Sequence, residues 1–201
     1  MFTKVSENLK ALGYQVSVFD TADQAADYLC GRIQNTTVGF GGSVTLQQMG
    51  LLEKLGKQNT VLWHWQPAEG RTGVQMREEA RKAPVYLSSI NGLAETGEII
   101  NIDGTGNRVA ETLYGHEQVY FVVGKNKLAP DYEQALWRAR NIAAPKNAQR
   151  LKRKTPCAAK GDRCYNCKSP ERICKALTVL WGKPGGVERM ELILVDQELG
   201  Y

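Results

Sequence analysis

Nothing in this sequence resembles a membrane span or a secretory leader. No apolar run approaches the length a bilayer requires, and the first residues, MFTKVSENLK, lack an apolar stretch. Internal repeats and low-complexity tracts are also missing, which argues against solenoids and extended linkers. These absences lead to the expectation of a cytoplasmic protein that makes no membrane contact. In that reducing compartment structural disulfides are rare, and grouped cysteines more often bind metal or do redox work.

What is present suits one globular unit. The 201 residues are 42% hydrophobic and 23% charged, enough to build a core without staples. One domain over 1–201 is expected, with an α/β core at 1–145 and a distinct tail at 146–201. The charge is uneven. Between residues 146 and 175 ten Lys and Arg face only Asp162 and Glu171, a segmental +8 that leaves −3 for the rest of a chain whose total is +5. Such a patch attracts anions, acidic partners or nucleic acid, or it offsets cysteine thiolates.

Strand and helix patterns alternate over the first 145 residues. Phe2, Val5, Leu9 and Leu12 recur at helical spacing before Gly13, and residues 14–19 alternate as a short strand. Thr21 with Gln24, and Thr72 with Gln75, read as capping boxes opening two helices. Leu46, Met49, Leu52 and Leu55 form one helical stripe. Strands are expected at 37–40, 60–65, 85–89, 98–102 and 118–123, and a helix at 131–144 that Pro145 breaks. This alternation predicts a mostly parallel sheet with helices on both faces. In the tail, strand-like runs at 177–181 and 190–195 flank the turn residues Lys183-Pro-Gly-Gly186. The simplest expectation is a terminal β-hairpin closing the sheet edge.

Four cysteines carry the strongest chemical signal. Cys157, Cys164, Cys167 and Cys174 are spaced C-x6-C-x2-C-x6-C, so one tight turn offers two sulfurs and an outer pair flanks it. Four thiolates so close suit a tetrahedral zinc site or an iron–sulfur cluster, and neighbouring Lys and Arg favour the thiolate form. Cys30 stands alone and reads as a small core residue.

Two loops are candidate ligand sites. Gly41-Gly42-Ser43 joins a strand to a helix, where backbone N–H groups and the helix end favour an anion; the alternative is a tight turn with Ser43 as N-cap. The spacing matches neither the dinucleotide fingerprint nor a P-loop. The second loop, NGLAETGEIINIDGTGN, brings Glu95 before a strand and Asp103 after it, followed by Gly104, Thr105, Gly106 and Asn107. Two carboxylates facing one cleft at the carboxyl edge of a parallel sheet would suit acid–base or nucleophilic work; the plainer reading has Asp103 closing a turn and Glu95 in water. Strand alternation puts Trp63 and Trp65 on one face and His64, a possible acid–base group, on the other. His116 carries little weight in its loop.

The segments VGFGGSVTLQQMGLLEKL, NGLAETGEIINIDGTGNRVAETLYG and VYFVVGKNKL together resemble the LUD (lactate utilisation) domain family, and the cysteine tail looks like its cysteine-rich branch. The resemblance implies a Rossmann-like three-layer α/β/α fold of the superfamily that contains ribose-5-phosphate isomerase, glucosamine-6-phosphate deaminase and CoA transferases. It implies a role in L-lactate oxidation as an accessory or redox subunit beside other lactate-utilisation proteins, with a small anionic metabolite as ligand. Ala94-Glu95-Thr96-Gly97 is similar to the segment carrying the CoA transferases' catalytic glutamate, with Thr96 in place of the usual Asn. Asp103-Gly104-Thr105-Gly106 is similar to the sugar isomerases' acidic loop, without the acid that comes after it there. The alternatives are an isomerase or CoA-transferase-like enzyme for a small phosphorylated or acyl substrate, and a zinc-stabilised nucleic-acid-binding module. The last is disfavoured because only Tyr165 lies among the cysteines to stack on a base.

Replacing Cys157, Cys164, Cys167 or Cys174 singly by Ser is expected to release bound metal and loosen the tail, while Cys30→Ser keeps full metal content. Metal analysis of protein purified without air checks this, and full occupancy in all four variants would sink the cluster.

Overall fold

The computed structural model describes residues 2–201. Ten strands are formed: β1 Gln15–Phe19, β2 Thr37–Phe40, β3 Thr60–Trp63, β4 Val85–Ser88, β5 Gly92–Ala94, β6 Ile99–Asp103, β7 Gln118–Gly124, β8 Leu128–Ala129, β9 Ala176–Leu180 and β10 Arg189–Val195. The α-helices are α1 Thr3–Ala11, α2 Ala22–Arg32, α3 Val44–Gln48, α4 Leu51–Gly56, α5 Gly73–Ala80, α6 Asn107–Glu111, α7 Tyr132–Arg138, α8 Ala144–Arg150 and α9 Pro156–Lys160. Both expected capping boxes are present: the Thr21 and Thr72 hydroxyls accept from the amides of Gln24 and Gln75, whose side chains return to the cap amides. No described helix is long and apolar enough to cross a membrane.

The main sheet has six strands in the order β1-β10-β7-β4-β2-β3, and every neighbouring pair is parallel. One face packs on α2, α3 and α4 through Ala25, Leu29, Leu46, Leu51 and Leu55. The other meets α1 through Phe2, Val5 and Leu9, with Leu62 packed on Met76 and Ala80 of α5. The three-layer α/β/α expectation therefore holds.

That second face also carries a smaller sheet, β8-β5-β6-β9, which the strand pattern did not distinguish from the main one. β5 and β6 form an antiparallel hairpin whose Leu93 and Ile99 enter the core beneath the main sheet. Ala94 and Ile100 pack instead against Ala135 and Ala139 of the long helix that α7 and α8 form through Ala139–Ala143.

Three local expectations are corrected. The terminal hairpin does not form: β9 pairs antiparallel with β6, whereas β10 lies in the main sheet between β1 and β7. Met190, Leu192 and Leu194 fill one core and Ile193 and Val195 the other, so β10 needs cover on both faces and cannot sit at an edge. The stripe from Leu46 to Leu55 is two helices, divided at Gly50, whose φ of 61° no right-handed helix contains. Pro145 does not end its helix. A π-turn over Ala139–Ala143 precedes α8, and Pro145 sits in the first turn of α8, where its missing N–H leaves no helical bond unmade.

Leu192→Ala, at a fully buried site, is expected to cost about 2–5 kcal/mol, whereas Leu177→Ala, half exposed on β9, should change stability by no more than about 0.5 kcal/mol. Urea unfolding of the two variants tests the central placement of β10.

Candidate functional site

A cavity of about 430 Å³ opens beyond the carboxyl ends of the main-sheet strands. Its floor comes from the residues just past β2 (Gly42 to Thr45), β3 (His64 and Trp65), β4 (Ser89 to Asn91) and β7 (Lys127). Its sides are the Asp103–Arg108 loop, Ala143 to Leu151 of the long helix, and Pro170 to Lys175 of the cysteine segment; Gly200 and Tyr201 also line it. Seven cationic side chains face this space, those of Arg77, Arg108, Lys127, Arg150, Arg153, Arg172 and Lys175, against two carboxylates, Asp103 and Glu171.

The two carboxylates are committed to the protein. Asp103 Oδ1 accepts the amides of Thr105 (3.0 Å) and Gly106 (2.7 Å), closing the turn into α6. Its Oδ2 pairs with Arg108 Nε at 3.3 Å. Glu171 Oε2 accepts the Lys154 amide at 2.8 Å. Arg108 is equally engaged. Its terminal nitrogens donate to the carbonyls of Ser89 (3.0 Å) and Ile102 (2.7 Å) and to the side chains of Asn91 and Asn101. It is a buried pin between loops, with no donor left for a ligand.

Lys127 differs. It is 3% exposed, and its Nζ donates to Ser89 Oγ at 2.6 Å and Thr45 Oγ1 at 2.8 Å, with no carboxylate in reach. Burial, with Arg138 and Arg108 nearby, holds its ammonium well below the ordinary lysine range. Arg77, Arg153 and Lys175 make no ion pair among the described residues. His64 is pushed down to about 4, first by burial and then by Arg77, so it is neutral at pH 7.

Of the residues singled out in the sequence, Gly42, Ser43, Asp103, Gly104, Thr105 and Asn107 line the cavity, while Gly41 and Gly106 do not. The Ser43 hydroxyl is used as the N-cap of α3, accepting from the Leu46 amide at 3.2 Å. The glycines serve close packing: a Cβ on Gly42 would meet the Trp65 indole at 2.9 Å, and one on Gly41 the Ser88 hydroxyl at 2.8 Å. Glu95 is not in the cavity, which corrects the shared cleft. It lies at the turn of the β5–β6 hairpin, opposite the end that bears Asp103, and its carboxylate pairs with Lys4 of α1 at 2.6 Å. Lys127 was missed. The signal available was its place just after the apolar run VYFVV of β7, at the edge where α/β ligands sit.

The four tail cysteines are free thiols, each partly buried, and no group of three or more His, Cys, Asp or Glu stands at metal-holding distance among the described residues. Two of them accept N–H donors. Cys164 Sγ accepts the Asn166 amide at 3.3 Å across a turn in which Asn166 takes a φ of 46°. Cys174 Sγ accepts Arg172 Nε at 3.2 Å. Gathering all four on one centre requires the loop to draw in. Because Arg172 and Ile173 also line the cavity, that loop is shared between the two regions.

The model of the LUD domain matches residues 2–195. An uncharacterized Escherichia coli (strain K12) protein, YkgG, is 27% identical over 114 residues, 56% of this chain and 47% of that protein, so the match spans about half of the relative's length. A DUF162 family protein from Deinococcus radiodurans aligns over 96% of this chain and 94% of its own, with a TM-score of 0.55 and 15% identity, a likeness of fold. Ribose 5-phosphate isomerase from Plasmodium falciparum overlaps 54% of this chain and 52% of its own at a TM-score of 0.32 and 16% identity, too little to carry an argument.

Two outcomes are expected from this geometry. Gly42→Val should displace the Trp65 indole, altering tryptophan fluorescence and lowering stability; a variant unchanged in both would refute the packing role. Because His64 titrates near 4 when folded and at 6.5 in its ordinary state, the unfolded chain takes up the proton first. Stability should therefore fall as pH drops from 6.5 toward 4. Urea midpoints across that window, with the slope reduced in His64→Gln, check the sign.

Proposed function

This chain belongs to the LUD domain family, and we propose from that premise that it serves lactate utilisation by binding a small anionic metabolite in the cavity at the carboxyl edge of its main sheet. One observation carries the reading: seven cationic side chains line the cavity wall, of which Arg108 alone is in an ion pair among the described residues, while both side-chain carboxylates are occupied by the protein. An anion entering there meets uncompensated positive charge, and neither side-chain carboxylate is free to repel it. Lactate, its oxidation product and small phosphates all have the required charge. Glu95, held by Lys4 outside the cavity, offers this ligand nothing, and acyl transfer through it draws no support from its position.

The finer role is that of an accessory or redox subunit of L-lactate oxidation working with other subunits in the cytoplasm. The four tail cysteines would hold zinc or an iron–sulfur cluster. Supporting this are the grouped thiols and the N–H donors aimed at Cys164 and Cys174. A metal centre there would supply either a fixed fold for the loop or an electron-carrying group. The chain's own contribution is to place Arg172 and Ile173 of that loop against the cavity.

Calorimetry with L-lactate, pyruvate and inorganic phosphate tests the anion site. Combined Arg77→Ala and Arg153→Ala is expected to weaken binding by at least about tenfold, roughly 1.4 kcal/mol, and added salt should weaken it in the parent. Glu95→Gln should bind as the parent does. Equal affinity in the arginine variant, or no binding of any of the three anions, would overturn the reading.

A further inference from the structure

Lys127 is placed as a nucleophile. Each hydroxyl it contacts has already committed its own hydrogen to a carbonyl: Ser89 Oγ donates to Val122 O at 2.6 Å and Thr45 Oγ1 to Leu199 O at 3.3 Å. Both can therefore only accept from Nζ, at 2.6 and 2.8 Å. A neutral amine has two N–H bonds, and these two acceptors use them both. The remaining direction at nitrogen is its lone pair, which no described donor occupies, and Lys127 forms part of the cavity wall. The charges nearest it are Arg108 at the start of α6 and Arg138 at the end of α7, both positive, and it makes no ion pair among the described residues. An ammonium is disfavoured in that setting, and an amine poised there is a nucleophile in waiting.

We propose that Lys127 condenses with the carbonyl group of a small anionic aldehyde or ketone bound in the cavity, forming an imine, the negative group of the ligand being held by the cationic wall. The inference rests on the anion-site reading above and names its substrate class. The charged group is the shared requirement, met either by a 2-oxo acid or by a phosphorylated carbonyl compound. In the first step the nitrogen lone pair forms the C–N bond, the carbonyl π pair moves to oxygen, and one amine proton passes to that oxygen. In the second the hydroxyl leaves as water with the other amine proton, and C=N closes. No electron is gained or lost and no co-reactant is needed. The Ser89 and Thr45 hydroxyls stand beside the nitrogen where both protons depart.

The test is reductive trapping on the full chain. Pyruvate, dihydroxyacetone phosphate and neutral acetone, all ketones, are each added with cyanoborohydride near neutral pH, and peptides are mapped by mass spectrometry. The expected result is a stable secondary amine on Lys127, formed at least about tenfold faster than on surface lysines such as Lys4 and Lys10, because the two hydroxyls hold its amine with the lone pair toward the cavity. One of the two anionic compounds should react well ahead of acetone, and which one identifies the charged group. Lys127→Met should lose the adduct. If that variant fails to fold, the peptide map of the parent decides alone. Labelling spread evenly over surface lysines, or an unmodified Lys127, overturns the proposal. Calorimetry without reductant separates the two readings: pyruvate that binds but is never trapped on Lys127 ends the imine and keeps the anion site, whereas neither binding nor trapping ends both.

Discussion

The structure depends on β10 lying between β1 and β7. Without it the main sheet would be two separate pieces, since β1 has no other partner and β7 would have β4 alone. Its alternating apolar residues join the two cores on either face. Its placement also directs the end of the chain. Once Val195 ends in the middle of the carboxyl edge, the last residues run directly past the cavity, and the backbone of Gly200 comes to rest beside Thr45 and Lys127. A Cβ on Gly200 would come within 2.5 Å of the Thr45 hydroxyl, so the close approach requires glycine.

Buried charge in the cavity is handled in two opposite ways. Arg108 is surrounded by acceptors from β6 and the β4–β5 loop, and its charge is balanced by Asp103. Such a group is costly to disturb, and it fixes the β4–β5 loop against β6 and the start of α6 before any ligand arrives. Lys127 receives two hydroxyls and no counter-charge. A protein that needed Lys127 only for packing would be better served by an uncharged side chain. The contrast between a fully satisfied guanidinium and an incompletely satisfied amine, both facing one cavity, is what distinguishes structural support from chemistry here.

Much of the fold was legible in short-range signals. Two Thr-x-x-Gln boxes and the strand-helix alternation were right because each depends on hydrogen bonds within a few residues. Partner choice was not legible, because it depends on distant surfaces. MELILV and ALTVL both look like strands, but only the burial of β10 on both faces separates a central strand from an edge one; its unbroken apolar run was the available hint. At the site, Asp103, Gly42 and Ser43 were found because turns and sheet edges leave sequence marks. Glu95 was misplaced because β5 and β6 belong to an antiparallel hairpin and not to the main sheet. Lys127 was overlooked because a lysine beside Lys125 and Asn126 reads as a solvated loop, and its surroundings, Thr45, Ser89 and Gly200, are far from it in the chain.

The position of β10 also has a kinetic meaning. Gln15 pairs with Glu191, so the first strand made waits for nearly the whole chain before it meets its neighbour. Loop-closure entropy makes such pairing slow. At about 5–20 residues per second on the ribosome, β1 remains uncovered for on the order of ten seconds or more after it appears, and the open edge of β7 joins it once that strand is made. From then until β10 arrives two strand edges are available to other chains. The protein is thus most exposed to misassembly during its own synthesis, and the last strand to emerge is the one that ends the danger.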